Sequence, residues 1–235
     1  LLSIFKLGTP AAIQMALTAF SNMFVMSYIS NVNGNTTYAL SGWTTYSKVD
    51  QIIFLPMQSI ALSVSTFVGQ NLGINDVKRA KKGANIAFFT AFISTIILII
   101  PIMIFSPQIS WLFNKDVNVI KYSTLFLRYL TPFYVCCTVN QIYTAALRGA
   151  GDSKSPMIFM LTSFIVVRQI YLFIMSTFIS NDPIPIGLSY PVGWVCCAIG
   201  LFIYYKSVKL EKFRIVKNEQ TNGEDANDEK MANVV

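Results

Sequence analysis

Residues 83–105 read GANIAFFTAFISTIILIIPIMIF, a run without one ionisable side chain. A helix rises about 1.5 Å per residue, so about 20 mostly apolar residues cross the roughly 30 Å hydrocarbon core of a bilayer. This run is long enough. Working outward from it, five more stretches qualify, over 8–32, 39–70, 120–147, 156–178 and 185–205. The fold class this predicts is all-α: a polytopic membrane protein whose residues 1–205 form a six-transmembrane-helix bundle. Composition agrees, because 54% of the 235 residues are apolar and only 12% are charged, against about 25% charged in an ordinary soluble domain. That deficit excludes a disordered chain and argues against a water-soluble enzyme.

The links between spans carry turn chemistry: Asn33-Gly34-Asn35, Gly73-Ile74-Asn75-Asp76, Gly149-Ala150-Gly151-Asp152 and Asn181-Asp182-Pro183. Pro10, Pro56, Pro101, Pro132 and Pro191 fall inside spans, where transmembrane bundles use proline for kinks. The longest spans, 39–70 and 120–147, each hold a Pro and are expected to tilt, kink or extend beyond the bilayer.

Orientation follows from the cations, which concentrate on the cytoplasmic side of membrane proteins. Lys6, Lys78, Arg79, Lys81, Lys82, Arg148, Lys154 and the five cations of 206–217 fall on one side, and only Lys115 and Lys121 on the other. Six helices with both termini cytoplasmic are therefore expected, in the plasma membrane. The net charge of +7 thus reflects membrane topology rather than a nucleic-acid partner. The basic juxtamembrane segment 206–217 is predicted to lie on the anionic inner leaflet. Residues 218–235 are acidic and too polar to fold, a disordered cytoplasmic tail. The opening Leu1-Leu2-Ser3, with no initiator Met, is expected of a fragment of a longer chain.

Several chemistries lack the residues they need. There is no His, which excludes imidazole metal sites and His-based proton transfer. The four Cys form two adjacent pairs, Cys136-Cys137 and Cys196-Cys197, a spacing that suits packing rather than redox or zinc chemistry. The loops Val68–Gly73 and Leu147–Asp152 are Gly-bearing but do not match a phosphate-binding loop; a Gly ending a helix and turning the chain is the ordinary reading. No enzyme activity, metal or cofactor is expected.

Ionised groups at bilayer depth are costly and mark function or pairing. Lys48, Asp50, Arg128 and Arg168 are four such groups. From the helix rise, Lys48 lies about 14 Å from the outer face, and Arg128 and Arg168 each about 12 Å. Cations of three helices thus share one level, which fits either a common polar cavity or independent snorkelling and structural pairing. In the second span, Ser41, Thr44, Thr45, Lys48, Gln51, Gln58, Ser59, Ser63 and Thr66 share an arc of roughly 140°, a stripe expected to face protein or water. Asp50 points about 200° away from Lys48 and is expected to meet Arg128 or Arg168 on a neighbouring helix, either as packing or for transport. Gln14, Thr18, Ser21 and Asn22 form one polar face of the first span, readable also as interhelical glue. The fourth span adds Asn140, Gln141, Tyr129, Tyr134 and Tyr143, and the fifth Gln169 and Tyr171. Aromatics and amides around sparse charges suit a cavity for an amphipathic organic molecule, and also ordinary packing. The candidate cavity set is Lys48, Asp50, Arg128, Arg168, Gln14, Gln51, Gln58 and Gln141.

With these spans in place, residues 1–206 resemble the C-terminal half of a multidrug and toxic compound extrusion (MATE) transporter. The resemblance rests on Gly8-Thr9-Pro10, on Lys48-Val49-Asp50 followed by Leu55-Pro56, and on Ser65-Thr66-Phe67-Val68-Gly69-Gln70-Asn71-Leu72-Gly73 with Arg79-Ala80-Lys81-Lys82. Leu147-Arg148-Gly149-Ala150-Gly151-Asp152-Ser153-Lys154-Ser155-Pro156 and Tyr190-Pro191-Val192-Gly193-Trp194 complete it. It implies one of two six-helix bundles facing each other across a central cavity, in which sodium or proton entry drives export of organic compounds by alternating access. Its implied partners are a small organic substrate, the lipid bilayer, and a missing N-terminal six-helix lobe or a second copy. Some relatives carry acidic coupling residues in helices matching the first and fourth spans; this chain has no carboxylate in the first, Arg128 in the fourth, and Asp50 as the one intramembrane acid. The alternatives are a lipid-linked precursor flippase of the same superfamily, with a cationic cavity for a phosphate headgroup, and a non-transporting truncated membrane scaffold.

Overall fold

The computed structural model describes residues 2–31, 36–179 and 182–208, all from one helical bundle. The helices are α1 (Leu2–Ile29), α2 (Thr36–Gly73), α3 (Val77–Ile104), α4 (Ser106–Phe113), α5 (Val117–Leu130) and α6 (Tyr134–Gly149). Two further helical runs follow, α7 (Lys154–Ile179) and α8 (Pro183–Ser207). Among the described residues, five of these are long and apolar enough to cross a membrane: α1, α2, α3, α7 and α8. The acidic tail and nearly all of the basic segment 206–217 lie outside the described residues.

The expected fourth span, 120–147, is divided. A 3-10 turn at Thr131–Phe133 separates α5 from α6, because Pro132 has no N–H to continue the α-helical ladder and its ring crowds the preceding turn. The link expected over 106–119 contains α4, which carries Pro107 in its first turn and ties to α5 through Ser110 Oγ and Ser123 Oγ at 2.8 Å. Eight residues are too few to register as a span. By contrast α2 runs unbroken through Pro56 for 38 residues, about 57 Å at the usual rise and well beyond the hydrocarbon thickness.

Side-chain periodicity explains the packing. On α2 the residues Val49, Ile53, Met57, Ala61, Val64 and Val68 recur every three or four positions and are all buried, one apolar stripe of a helix. This stripe meets α3, α5 and α6. α8 packs on α6 and α7, whereas α1 rests mainly on α7 and the start of α8. Outward faces are apolar and exposed, as at Leu62, Phe89, Ile93, Ile97, Ile170 and Phe173. In a chain of this composition those surfaces meet lipid, and the protein is an integral membrane protein.

Inside, small hydroxyl residues join helices, as with Thr95 and Thr138 at 3.0 Å. The closest approach to another helix's backbone among the described glycines is between the end of α6 and α2: a Cβ on Gly149 would lie 2.3 Å from the carbonyl oxygen of Ser65. At the α2–α3 turn the left-handed residue is Asn75, at φ 65°, rather than Gly73, which remains helical; Asn tolerates this conformation better than most side chains. Asp76 then caps α3 by accepting the Arg79 N–H at 2.9 Å. In the α6–α7 turn Gly151 does supply the left-handed backbone, at φ +94°.

Candidate functional site

Five helices converge on a cavity of about 530 Å³. α1 contributes Gln14, Thr18 and Asn22, which lie one or two turns apart and so share one face. α2 contributes Asp50, Phe54 and Gln58, a four-residue repeat with the same effect, and α6 contributes Asn140 and Gln141. α7 and α8 close it with Phe164, Arg168, Tyr190 and Trp194. A second cavity of about 360 Å³ adjoins the first, sharing Asn22, Asp50 and Tyr190 and adding Tyr46 and Gln51. Asp50 stands where the two meet.

The Asp50 carboxylate accepts hydrogen bonds at Oδ1 from the Tyr134 hydroxyl and, at 3.5 Å, from Tyr46. The two phenol oxygens are themselves 3.0 Å apart. Tyr46 precedes Asp50 by one helical turn, and Tyr134 opens α6 directly after the break at Pro132. The kink therefore sets the phenol that meets the acid. Asp50 does turn to a neighbouring helix, but it meets Tyr134 rather than an arginine.

Arg168 is 1% exposed, the largest fully buried side chain of the bundle. Its Nη2 donates to Ser21 Oγ at 2.5 Å, and its guanidinium lies 4.7 Å from the centre of the Tyr190 ring. Ser21 passes the connection on to the Phe164 carbonyl at 2.6 Å and accepts from Gln169 at 2.9 Å. Arg168 follows a π-helical stretch, Thr162–Val167, one wide turn of the kind that occurs at functional sites. At the end of the cavity nearer the α6–α7 turn, Arg148 Nη2 donates to Gln14 Oε1 at 2.7 Å.

Of the eight residues singled out from sequence, Gln14, Asp50, Gln58, Gln141 and Arg168 line the first cavity, and Gln51 lines the second. Lys48 and Arg128 line neither. Lys48 is exposed and lies 5.9 Å over the Phe113 ring, while Arg128, also exposed, donates from Nε to Ser106 Oγ at 3.2 Å. Both cations thus turn toward α4, so the level shared by three cations does not become a shared cavity. The reason is rotational: Val49 and Ile53 turn one face of α2 to the core, and Phe126, Leu127 and Leu130 do so on α5. Replacing Lys48 or Arg128 by Gln is therefore expected to change ligand binding in the cavity by less than about twofold, whereas Arg168→Gln changes it by about tenfold or more. Equilibrium binding to the three purified variants checks this.

Most of the polar stripe of α2 is exposed. Its hydroxyls bond back to their own helix, Thr44 to Leu40, Ser59 to Leu55 and Ser63 to Ser59, each at 3.0 Å, so these groups are satisfied without water. All four cysteines are free, and in each pair one is buried and its neighbour is not; Cys137 also lines the cavity. Tyr46, Arg148, Tyr190 and Trp194 are site residues that were not singled out. Tyr46 carries a usable signal, lying one turn before the lone intramembrane acid; Arg148 was counted among the loop cations.

A polytopic α-helical membrane bundle that holds a carboxylate and two arginines around an internal cavity is the class defined by this architecture. Residues 10–174 match the MatE family model, and the chain belongs to the MatE family. It is similar to the probable multidrug resistance protein YpnP of Bacillus subtilis, 27% identical over 86% of this chain and 44% of that protein. The probable multidrug resistance protein YoeA of the same organism is 25% identical over 90% of this chain and 45% of its own length. Among solved structures, an inward-facing multidrug resistance MATE family transporter of the MOP superfamily shares the fold, with a TM-score of 0.79 and 17% identity over 92% of this chain and 49% of that one. A MOP superfamily transporter from Pyrococcus furiosus does so at 0.82, with 17% identity over 91% and 47%. The chain spans about half the length of the relatives it matches.

Proposed function

We propose that this bundle is one lobe of an ion-coupled exporter of organic compounds that works by alternating access. The observation that carries the reading is the cavity itself, in which Asp50 and Arg168 sit among amides and aromatic rings at bilayer depth, an expensive arrangement for a mere anchor. The relatives named above support it, being called multidrug resistance proteins rather than enzymes. Asp50 is the group suited to carry the coupling sodium ion or proton. A second six-helix lobe, or a second copy of this bundle, would cover the exposed face of α2 that carries Gln51 and Gln58. The cations of the basic end, with the α2–α3 and α6–α7 turns, support a cytoplasmic orientation for it, and the reading puts the bundle in the plasma membrane. The flippase alternative drew its support from three cations in one cavity, and two of them lie outside it.

The test is drug efflux from cells expressing the protein, with and without sodium and at two external pH values. Arg168→Gln is expected to lower efflux about tenfold, and Lys115→Gln, at an exposed surface position, to leave it within about twofold at matched expression. Equal efflux from both variants would remove Arg168 from the transport path.

A further inference from the structure

The end of the bundle opposite the α2–α3 turn gathers cations that the cavity does not use. On α5, Lys121 and Arg128 are seven residues apart, two helical turns, and so share one face. Both are exposed, and half-buried Leu125 lies between them on that face. The core takes the opposite face of α5, with Val119, Ser123, Phe126 and Leu130. Lys48 and Lys115 add two more cations at the end of α4, their ammonium groups 5.9 Å from the centre of the Phe113 ring and 5.5 Å from that of Trp111.

No carboxylate among the described residues pairs with any of the four. Asp116, beside them in sequence, is occupied in capping α5, accepting the Asn118 N–H at 2.8 Å. Arg128 gives its Nε to Ser106 Oγ at 3.2 Å, and its two Nη groups have no described partner. It lies about three turns into α5, where an exposed guanidinium is costly in hydrocarbon unless it reaches a phosphate group. The surfaces beside these cations are apolar: Phe105, Trp111, Leu112 and Val117 are all exposed. A soluble anion would gain from the cations alone, and a protein partner would have to bring several buried acids. A lipid brings its phosphate and its chains together.

We propose that the outward face of α5, with α4 beside it, binds an anionic phospholipid, the phosphate held by Lys121 and Arg128 and the acyl chains against the apolar surface around them. A headgroup of net negative charge is favoured over phosphatidylcholine, whose ammonium would be set among Lys48 and Lys115. The site lies apart from the cavity and stands whether or not the bundle exports organic compounds.

Photocrosslinking in nanodiscs tests it. The discs hold equal parts of phosphatidylglycerol and phosphatidylcholine with the same acyl chains. The photoreactive residue p-benzoylphenylalanine replaces Leu125 or, for comparison, Phe173, an exposed position of α7, and mass spectrometry counts the adducts. At Leu125, phosphatidylglycerol is expected to be captured about tenfold more than phosphatidylcholine; at Phe173 the two should be captured alike. Lys121→Gln combined with Arg128→Gln should bring the ratio at Leu125 to unity while phosphatidylcholine adducts persist, which also shows that the surface is still folded. Lys121→Arg combined with Arg128→Lys keeps both charges and should keep the enrichment. Equal capture at Leu125 in the unaltered protein overturns the proposal, as does unchanged enrichment in the Gln pair or its loss in the charge-keeping pair. Equal enrichment at Phe173 would show a general attraction for anionic lipid and no site. Enrichment abolished by inorganic phosphate, but not by sodium chloride at equal ionic strength, would make the site one for soluble anions. Adducts to polypeptide in place of lipid would give the surface to a protein partner. Each of these three results overturns it as well.

Discussion

Asp50→Asn is expected to lower efflux about tenfold or more and to abolish the response of the remainder to sodium and to pH. The substitution keeps shape and size. An Asn Oδ1 still accepts the Tyr134 hydroxyl, so the contact between α2 and α6 persists and the cavity stays assembled. What is lost is the negative charge, and with it the only carboxylate within the described spans. Tyr134→Phe is the informative companion. It leaves the charge but removes the nearer phenol donor, so the carboxylate keeps only the longer contact from Tyr46, 3.5 Å away. Coupling should then be weakened rather than lost. Transport rates in proteoliposomes under imposed sodium or proton gradients measure both variants. A full gradient response from the Asn variant would place coupling outside this bundle.

The second large effect is structural. Gly149→Ala is expected to cost on the order of 2–3 kcal/mol of stability despite the better helix propensity of Ala. The added methyl would lie 2.3 Å from the Ser65 carbonyl oxygen and 3.0 Å from that residue's Cα and carbonyl carbon. All three are backbone atoms of a long helix locked to its neighbours, so relief requires α2 and α6 to separate. Gly73 is the control. It is helical, and nothing lies within 4 Å of a Cβ built there, so Gly73→Ala should be neutral or stabilising by up to about 1 kcal/mol. Thermal unfolding of the two detergent-solubilised variants gives opposite signs if this holds. A Gly149→Ala protein melting at or above the unaltered one would show that the crossing has slack.

How far the site was legible depended on which coordinate each residue reveals. Axial position is nearly free of context, since every residue advances a helix by the same rise. That is why Lys48, Arg128 and Arg168 could be given similar depths from chain order alone. Relative rotation within one helix is equally reliable, and it separated Asp50 from Lys48 correctly. Absolute rotation depends on the neighbours. The stripe from Ser41 to Thr66 looked like a face that lipid would reject, yet its hydroxyls bond the carbonyls one turn back, and much of it stands outside this bundle. Lys48 and Arg128 follow from the same cause, turned outward toward α4, a helix too short to have been expected.

What the sequence by itself determined was the environment: the scarcity of charge and the long apolar runs compel helices in a bilayer, because hydrocarbon leaves an unpaired backbone no other partner. The motif order at the helix ends further gave the family. Tertiary structure alone decided which polar side chains share a cavity. Tyr134 reaches Asp50 because Pro132 breaks the helix before it, Arg168 is covered because Ser21 of a distant helix accepts its hydrogen bond, and Arg148, in the last turn of α6, meets Gln14. These contacts join residues more than eighty positions apart, and only the packing of helices against one another fixes such pairs.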